Sequence, residues 1–217
     1  IYGYGKSGRS THNYLKNNNK IVIYDDHKKY KKVSISLKKL NSTEFDYIVL
    51  SPGIDINKCR LTKYLKKNKN KIITDLDIFY LNNPDNLKIT ITGTNGKSTT
   101  AKLLFKILKD QNKDVILAGN IGIPILSKKK INLRTIFVIE ASSYQIDYSQ
   151  FFKTDYAFIL NISPDHLERH KSIQKYAHAK FKLILNQRKN FFAFIEKNKY
   201  LNKEIKKYRI KSKIIKI

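Results

Sequence analysis

Short apolar runs alternate with helix-like segments along most of this chain. Apolar residues recur at helical spacing after a glycine-rich turn at 93–96 and again over 172–186, and a further helix can continue through 10–15. The apolar runs are rich in β-branched and aromatic residues and predict buried strands at 21–24, 46–50, 89–92, 115–118, 135–139, 156–160 and 191–195. Strands that alternate with helices predict an α/β fold with a mostly parallel, doubly wound sheet.

The most specific local signal is the segment 89–100. An alternating β-branched run leads into a glycine turn that ends in Lys97-Ser98, and a helical pattern opens directly after it. This is the context of a phosphate-binding loop, because backbone N–H groups and a helix N-terminus favour phosphate oxygens. Gly93 lies only three residues before Gly96, whereas the usual G-x-x-x-x-G-K-S/T loop would need a glycine at Ile91. A generic nucleoside triphosphatase is therefore a poorer match, and an ordinary Gly-Asn turn is the structural alternative.

A second glycine motif stands at the start of the chain. Residues 3–8 satisfy G-x-G-x-x-G, a helix can follow, and a short apolar run ends at Asp25. These parts match a dinucleotide fingerprint, with a tight turn, a helix N-terminus for phosphate and an acid for a ribose or base hydroxyl. The next predicted strand ends in Ser51-Pro52-Gly53, at the edge where open α/β sheets bind ligands. Taken alone, the first motif is weak evidence and the second is better explained as an ordinary turn.

The strongest linker signal is the Asn- and Pro-rich segment at 82–86. It divides the chain into a predicted Rossmann-like domain at 1–86 and a predicted central ATP-binding domain of the P-loop type at 87–217. The first domain begins almost inside its glycine motif, and the chain contains no Met. We therefore expect the sequence to be a fragment, with the start of the first domain and the end of the second missing and the central sheet incomplete.

The net charge of +27 in 217 residues raises a nucleic-acid alternative. The positive charge is nearly all Lys, spread along the chain and mixed with Asn, Ile and Tyr, a mixture that an A/T-rich genome explains. Lysine clusters at 28–32 and 128–130 are expected to be solvated loops and helix faces. The chain has one cysteine, Cys59, and neither a long apolar run nor a signal-peptide pattern. We expect a cytoplasmic protein with no nucleic-acid partner and no membrane partner.

Three predicted strand ends of the second domain carry groups suited to nucleotide chemistry. They are Lys97-Ser98, Glu140 and Asp165-His166. The carboxyl ends of parallel strands share one edge of the sheet, so the loop, the carboxylate and the imidazole can converge. Hydroxyl and carboxylate oxygens suit Mg²⁺, and lysine balances phosphate charge. The set predicts a nucleotide–Mg²⁺ site, with a solvated acid and an ordinary loop histidine as the alternatives for Glu140 and His166.

Five segments together carry a resemblance to a known family. They are 92–98 (TGTNGKS), 119–124 (GNIGIP), 140–145 (EASSYQ), 161–170 (NISPDHLERH) and 176–180 (YAHAK). This set resembles the ATP-dependent Mur ligases, strongly from 89 to about 186 and weakly before that. The Gly-Asn-Ile-Gly and Ser-Ser-Tyr-Gln blocks are similar to the branch that adds D-glutamate. The short phosphate loop is the form found in this family, so its departure from the usual spacing supports the resemblance.

The resemblance implies a role for each matching position. The implied ATP-binding residues are Gly93, Thr94, Asn95, Gly96, Lys97, Ser98 and Thr99. The implied catalytic residues are Lys97, His166 and Lys180, and the implied metal ligands are Ser98, Glu140, His166 and Lys180. The implied substrate contacts are Lys6, Ser7, Asp25, Ser51 and Gly53 around a uridine diphosphate group, with Asn120 and His166 in the second domain. Lys180 matches a lysine that is carbamylated in the family, which turns an amine into a carboxylate-like ligand. Nothing but the motif distinguishes it in a Lys-rich helix.

For the reaction, the resemblance implies phosphoryl transfer from ATP to the carboxylate of UDP-N-acetylmuramoyl-L-alanine, and attack of D-glutamate on the acyl phosphate. ATP and Mg²⁺ are the implied cofactors, and a monomer is expected. Family members carry a third, C-terminal domain that binds the incoming amino acid, so we expect that the 217 residues alone will not ligate. Another Mur-type ligase or folylpolyglutamate synthetase is the nearest alternative. A non-catalytic nucleotide- or polyanion-binding protein is the alternative from a different class.

Overall fold

The computed structural model describes residues 1–27, 35–127 and 131–217. The lysine clusters at 28–32 and 128–130 lie outside the described residues. Within the described ranges the chain forms two parallel sheets, which follow one another in sequence.

The first sheet is short and is surrounded by small helices. Its elements are α1 (Lys6–Leu15), α2 (Leu37–Asn41), β1 (Ile48–Val49), α3 (Thr62–Lys67), a 3₁₀ turn (Lys69–Lys71), β2 (Ile72–Ile73) and α4 (Asp75–Asn82). β1 pairs with β2 in parallel, and single parallel bridges place Tyr2 between Tyr24 and Leu50. The four extended segments therefore lie in the spatial order second, first, third, fourth, which is a doubly wound order but differs from the order third, second, first, fourth of a Rossmann fold.

The glycine motif at 3–8 closes the first extended segment onto α1. Gly3 has φ +91°, a backbone conformation that favours glycine. At Gly8, an added Cβ would lie 2.0 Å from the carbonyl oxygen of Gly3. The close approach of helix and strand therefore requires glycine, as the dinucleotide fingerprint predicts.

The second sheet is larger and entirely parallel. Its elements are β3 (Lys88–Thr92), α5 (Lys97–Asp110), β4 (Val115–Gly119), β5 (Ile136–Glu140), α6 (Ser143–Tyr148), β6 (Tyr156–Ile159), α7 (Leu167–His170), α8 (Ile173–Leu185), β7 (Phe192–Ile195), α9 (Lys199–Lys207) and β8 (Lys213–Lys216). Among the described residues its strand order is β4-β5-β3-β6-β7-β8. The predicted α/β class with a mostly parallel sheet is confirmed. None of the helices in the described ranges has the length and apolarity needed to cross a bilayer.

β3 is the central strand of this sheet, and it sets the position of the candidate site. All five of its residues are buried, and it pairs with β5 on one side and β6 on the other. β4 and β5 lie on one side of β3, and β6, β7 and β8 lie on the other. The carboxyl end of β3 is therefore a topological switch point. Open α/β sheets bind ligands at such points. The glycine turn at 93–96 follows directly from that end.

α4 follows the first sheet in sequence but packs against the second. The ring of Phe79 contacts that of Phe137 on β5 edge to face, with 4.6 Å between centroids. The fully buried carboxylate of Asp77 accepts hydrogen bonds from the Ser149 hydroxyl and from backbone N–H groups of residues 150–152. A buried carboxylate is tolerated only when it is hydrogen-bonded in this way. The helix that ends the predicted first domain is thus anchored to the second sheet, and the division at residue 86 stays a prediction.

Candidate functional site

The turn after β3 has the backbone geometry of an anion-binding loop. Gly93 has φ +155° and Gly96 has φ +79°. A Cβ on Gly93 would lie 3.1 Å from the Cβ of Leu160, so the loop is also closely packed against the segment after β6. α5 begins at Lys97, and the first N–H groups of a helix have no intrahelical acceptor. Together with the helix dipole, these N–H groups favour phosphate oxygens in this turn.

A side chain from the neighbouring strand end holds the loop in shape. Asn161 Oδ1 accepts the N–H groups of Thr94 at 3.0 Å and of Asn95 at 2.8 Å, and its Nδ2 donates to the Asn95 carbonyl oxygen at 3.1 Å. The hydroxyl of Thr94 donates to the Ser163 carbonyl and accepts the Ser163 N–H. Asn161 is not among the predicted site residues, and its place directly after a buried strand is the signal that could have identified it.

Lys97 contributes its charge from inside the loop. Its Nζ donates a hydrogen bond to the carbonyl oxygen of Thr94 at 2.6 Å. The ammonium group therefore lies over the turn from which α5 begins. This placement suits a lysine that balances phosphate charge.

The side chain of Glu140 contacts two other predicted site residues. Its side chain is buried, its Oε2 accepts the hydroxyl of Ser98 at 2.7 Å, and its Oε1 accepts Nδ2 of Asn120 at 2.8 Å. At Gly119 an added Cβ would lie 2.3 Å from the Glu140 carbonyl oxygen, so only glycine permits this approach of β4 to β5. The structure thus brings Ser98, Asn120 and Glu140 together from three separate motifs.

Lys180 lies beneath the loop on α8. The side chain is 1% exposed, and its Nζ donates to the Gly93 carbonyl oxygen at 2.8 Å and to the Thr92 hydroxyl at 3.3 Å. The ammonium also lies 4.5 Å from the centroid of the Tyr176 ring. Burial, and then the nearby charge of Lys97, lower the pKa of Lys180 to about 7. A substantial neutral fraction of this amine therefore exists at neutral pH.

His166 lies at the edge of this arrangement. It precedes α7 with φ +52°, a strained conformation for a residue other than glycine. Its ring lies 5.0 Å from the Tyr144 ring, and its nitrogens lie 3.4 Å from Asp165 and 3.8 Å from Glu168. Over the described ranges, the structure contains no ion pair between His166 and Glu140 and no group of three His, Cys, Asp or Glu side chains that could hold a metal. Of the four predicted metal ligands, Ser98 and Glu140 are in direct contact in the structure.

The predicted uridine diphosphate contacts lie around the first glycine motif. They are Lys6, Ser7, Asp25, Ser51 and Gly53. Lys6 and Ser7 open α1, and Asp25 accepts the backbone N–H groups of Tyr4 and His27. Ser51 Oγ donates to the Gly3 carbonyl oxygen at 2.9 Å, and Gly53 is exposed in the same turn. The structure therefore brings Asp25 and Ser51 to the glycine motif, where they also hold its backbone.

A family model described as "Mur ligase middle domain" matches residues 91–217, which is more than half of the chain. The chain belongs to the Mur ligase family. The resemblance that the five motifs carry is thereby confirmed, and the short phosphate loop lies inside the matched region of this Mur ligase.

Curated relatives extend the match towards the start of the chain. It is 35% identical over 204 residues to a protein of Rickettsia bellii (strain RML369-C) and 37% identical over 195 residues to one of Wolbachia pipientis wMel. Both relatives are named UDP-N-acetylmuramoylalanine–D-glutamate ligase. The alignments cover 90% and 85% of this chain, and 45% and 38% of the two relatives. The chain therefore spans less than half the length of these relatives.

Solved structures share the fold at lower sequence identity. UDP-N-acetylmuramate:L-alanyl-gamma-D-glutamyl-meso-diaminopimelate ligase from Neisseria meningitides has a TM-score of 0.60 at 14% identity, covering 100% of this chain and 76% of that one. A MurF ligase from Thermotoga maritima in complex with ADP has a TM-score of 0.50 at 18% identity, covering 100% and 46%. At these identities the likeness shows a shared fold alone.

Proposed function

We propose that this chain carries the nucleotide site and the UDP-substrate site of an ATP-dependent ligase that joins D-glutamate to UDP-N-acetylmuramoyl-L-alanine, a step of peptidoglycan precursor synthesis in the cytoplasm. The observation that carries the proposal is the contact of Ser98, at the end of the phosphate loop, with the buried carboxylate of Glu140 at 2.7 Å. A loop serine backed by a strand-end carboxylate is the pairing with which P-loop proteins bind a metal–nucleotide complex. The names of the curated relatives point to the two substrates.

The donor set of this site fits Mg²⁺ that arrives with a nucleotide. Mg²⁺ prefers oxygen ligands and is commonly bound through one or two carboxylates together with substrate phosphates and water. The hydroxyl of Ser98 and the carboxylate of Glu140 are such ligands, and a larger protein cage is not required. These two residues would hold the ion, which would neutralise charge on the transferring phosphoryl group.

The loop and its neighbours would do the remaining work on ATP. Lys97 and the N–H groups that open α5 would bind the phosphate oxygens, while Asn161 keeps the loop in its binding shape. An oxygen of the substrate carboxylate would attack the γ-phosphorus and ADP would leave. The amine of D-glutamate would then attack the acyl carbon, forming the amide and releasing phosphate and a proton. Since both substrates are anionic, holding them in line is a large part of the catalysis.

The other predicted positions complete the proposal. Asn120 and His166 would contact the substrate at the sheet edge, and Lys6, Ser7, Asp25, Ser51 and Gly53 would surround its uridine diphosphate group. The neutral amine of Lys180 would react with carbon dioxide to form a carbamate, with loss of one proton. That product would supply an anionic oxygen beside the loop and serve, with His166, as a further metal ligand. The lowered pKa of Lys180 supports this step, because only the neutral amine is nucleophilic.

The test is ligation by the protein expressed from its complete reading frame. Phosphate release from ATP is measured with UDP-N-acetylmuramoyl-L-alanine and either D-glutamate, L-lysine or meso-diaminopimelate. Of the three amino acids, we expect only D-glutamate to support phosphate release. The Lys97→Ala variant should lose at least about 100-fold in kcat. Lys102→Ala, which changes an exposed lysine on the same helix, is the control and should retain full activity.

Other outcomes would favour the alternatives. Phosphate release with L-lysine or meso-diaminopimelate, and none with D-glutamate, would favour a different Mur-type ligase. Absence of ligation, combined with DNA binding that falls steeply with salt and is undiminished by Lys97→Ala, would favour a polyanion-binding protein. The charge of +27 is the observation behind that second candidate.

A further inference from the structure

Arg169 joins the two sheets of the chain through its guanidinium group. It lies on α7, three residues after His166. Nη1 donates a hydrogen bond to the carbonyl oxygen of Pro52 at 2.8 Å, and Nη2 donates one to that of Ile54 at 2.6 Å. The planar guanidinium group thus bonds two carbonyl groups of the turn that follows β1 of the first sheet. The compact ammonium of a lysine does not reproduce this two-point geometry.

Two tyrosines of α6 fix the plane of this guanidinium group. Its Cζ lies 3.9 Å from the centroid of the Tyr144 ring and 5.5 Å from that of Tyr148. Contact with aromatic faces stabilises a cation whose hydrogen bonds go to neutral carbonyl groups. The ring of His166 also packs on Tyr144, at 5.0 Å between centroids. His166 therefore directly precedes the four-residue helix that carries Arg169, and both side chains contact the ring of Tyr144.

The turn that Arg169 holds, residues 51–54, belongs to the proposed UDP-substrate site. Its first residue, Ser51, is bonded to the carbonyl of Gly3 in the glycine motif. Its last two residues line a cavity of about 260 Å³, together with Asp25. Carboxylate acceptors on the wall of a cavity suit donor groups such as ribose hydroxyls. A shift of this turn would move the wall of the cavity and the Ser51 contact together.

We propose that Arg169 is a positioning residue that fixes the 51–54 turn relative to His166, and so holds a UDP-linked substrate in register with the phosphate loop. This inference rests on the proposed function. The phosphate loop itself does not depend on Arg169, because its supporting contacts come from Asn161, Glu140 and Lys180 within the second unit. Loss of Arg169 therefore weakens the binding of the UDP-linked substrate and leaves the binding of the adenine nucleotide unchanged.

The experiment measures both ligands on the protein expressed from its complete reading frame. Calorimetry gives the Kd of UDP-N-acetylmuramoyl-L-alanine and of ADP for wild type, Arg169→Ala, Arg169→Lys and Arg188→Ala. Arg188 is the matched control, because its guanidinium bonds the hydroxyl of Tyr80 at 3.1 Å and does not touch the turn. We expect Arg169→Ala to weaken the UDP-linked substrate roughly tenfold or more, which corresponds to the loss of about one net hydrogen bond. Arg169→Lys should be intermediate, and ADP should bind within about twofold of wild type in every variant.

Steady-state kinetics supply a readout that general destabilisation does not give. The KM for the UDP-linked substrate should rise by the same factor as its Kd, while the KM for ATP stays unchanged. Equal weakening of both ligands would make Arg169 a purely structural residue and overturn the proposal, as would unchanged binding of the UDP-linked substrate. Where Arg169→Ala does not fold, Arg169→Lys decides, and wild-type affinity in that variant overturns the proposal. A wild-type protein that binds ADP but no UDP-linked substrate would instead refute the proposed function.

Discussion

Lys180 is the buried amine of the candidate site, and its replacement by methionine tests how this site carries charge. Its Nζ bonds the carbonyl of Gly93, and the side chain is 1% exposed. Burial is the larger cause of its lowered pKa, and the positive charge of Lys97 is the second. Methionine keeps an apolar stem of similar length but removes the titrating group. The difference in the free energy of unfolding between the two proteins, followed over pH, therefore reports the cost of burying the titrating amine.

The sign of the effect follows from proton binding. The pKa of Lys180 is about 7 in the folded chain against 10.5 for the ordinary side chain, so between these values the unfolded state holds a proton that the folded state has lost. The free energy of unfolding then rises with pH. Since one pKa unit corresponds to about 1.4 kcal/mol, wild type should gain about 2–3 kcal/mol relative to Lys180→Met between pH 6 and pH 9. Well below pH 7 both states are protonated, and the difference becomes constant.

The assay is urea unfolding of wild type and Lys180→Met at pH 6, 7, 8 and 9. The buffers are freed of carbon dioxide, because a carbamate on Lys180 would be an anion and would not titrate as an amine. Lys175→Met, which changes an exposed lysine on the same helix, is the control and should track wild type at every pH. A difference between wild type and Lys180→Met that stays flat, or falls, from pH 6 to pH 9 would refute the assignment of a buried neutral amine.

Two further predictions concern the framework around the site. Asp77→Asn should lower the free energy of unfolding by about 3 kcal/mol, because an amide group replaces one acceptor oxygen of a fully buried, hydrogen-bonded carboxylate. Asp110→Asn, at an exposed carboxylate, should change it by less than about 0.5 kcal/mol in the same urea titration, and equal effects of the two changes would contradict the anchoring role of Asp77. Lys171→Gly should raise the free energy of unfolding by about 0.5–1 kcal/mol, since Lys171 has φ +69°. Lys175→Gly, inside α8, should lower it by about 1 kcal/mol, and a loss of stability in Lys171→Gly would show that its backbone is not strained.

The strand, glycine turn and helix that form the predicted phosphate loop could be predicted from the sequence because their signal is local. The strand, both glycines, Lys97-Ser98 and the start of α5 all fall within one short segment, and each requires the residue types found there. The contact of Ser98 with Glu140 could be anticipated for a different reason. Parallel strands place their carboxyl ends on one edge, so a correct choice of β3 and β5 already brings the two residues near each other.

The contacts that join the units could not be predicted in this way. Arg169 and Pro52 are 117 residues apart, and no periodicity or motif relates them. β8 was also not predicted, because three of its four residues are exposed and it becomes a strand only by pairing with β7. At 21–24 the sequence predicts a buried strand, whereas the structure has an isolated bridge between Tyr24 and Tyr2 there. In each case the deciding interaction is tertiary and lies outside the local sequence window.

The short loop explains why its support is spread over the second sheet. A loop with few residues between its glycines has few backbone groups of its own to define its shape, so neighbouring elements must supply the constraint. Asn161 after β6 holds N–H groups of the loop, Lys180 on α8 holds the carbonyl of Gly93, and Glu140 at the end of β5 holds the hydroxyl of Ser98. Each support comes from a different element packed around β3, so the loop reaches its binding shape only when this part of the sheet has formed. A change that loosens β5, β6 or α8 should therefore impair nucleotide binding even where it leaves the loop sequence intact.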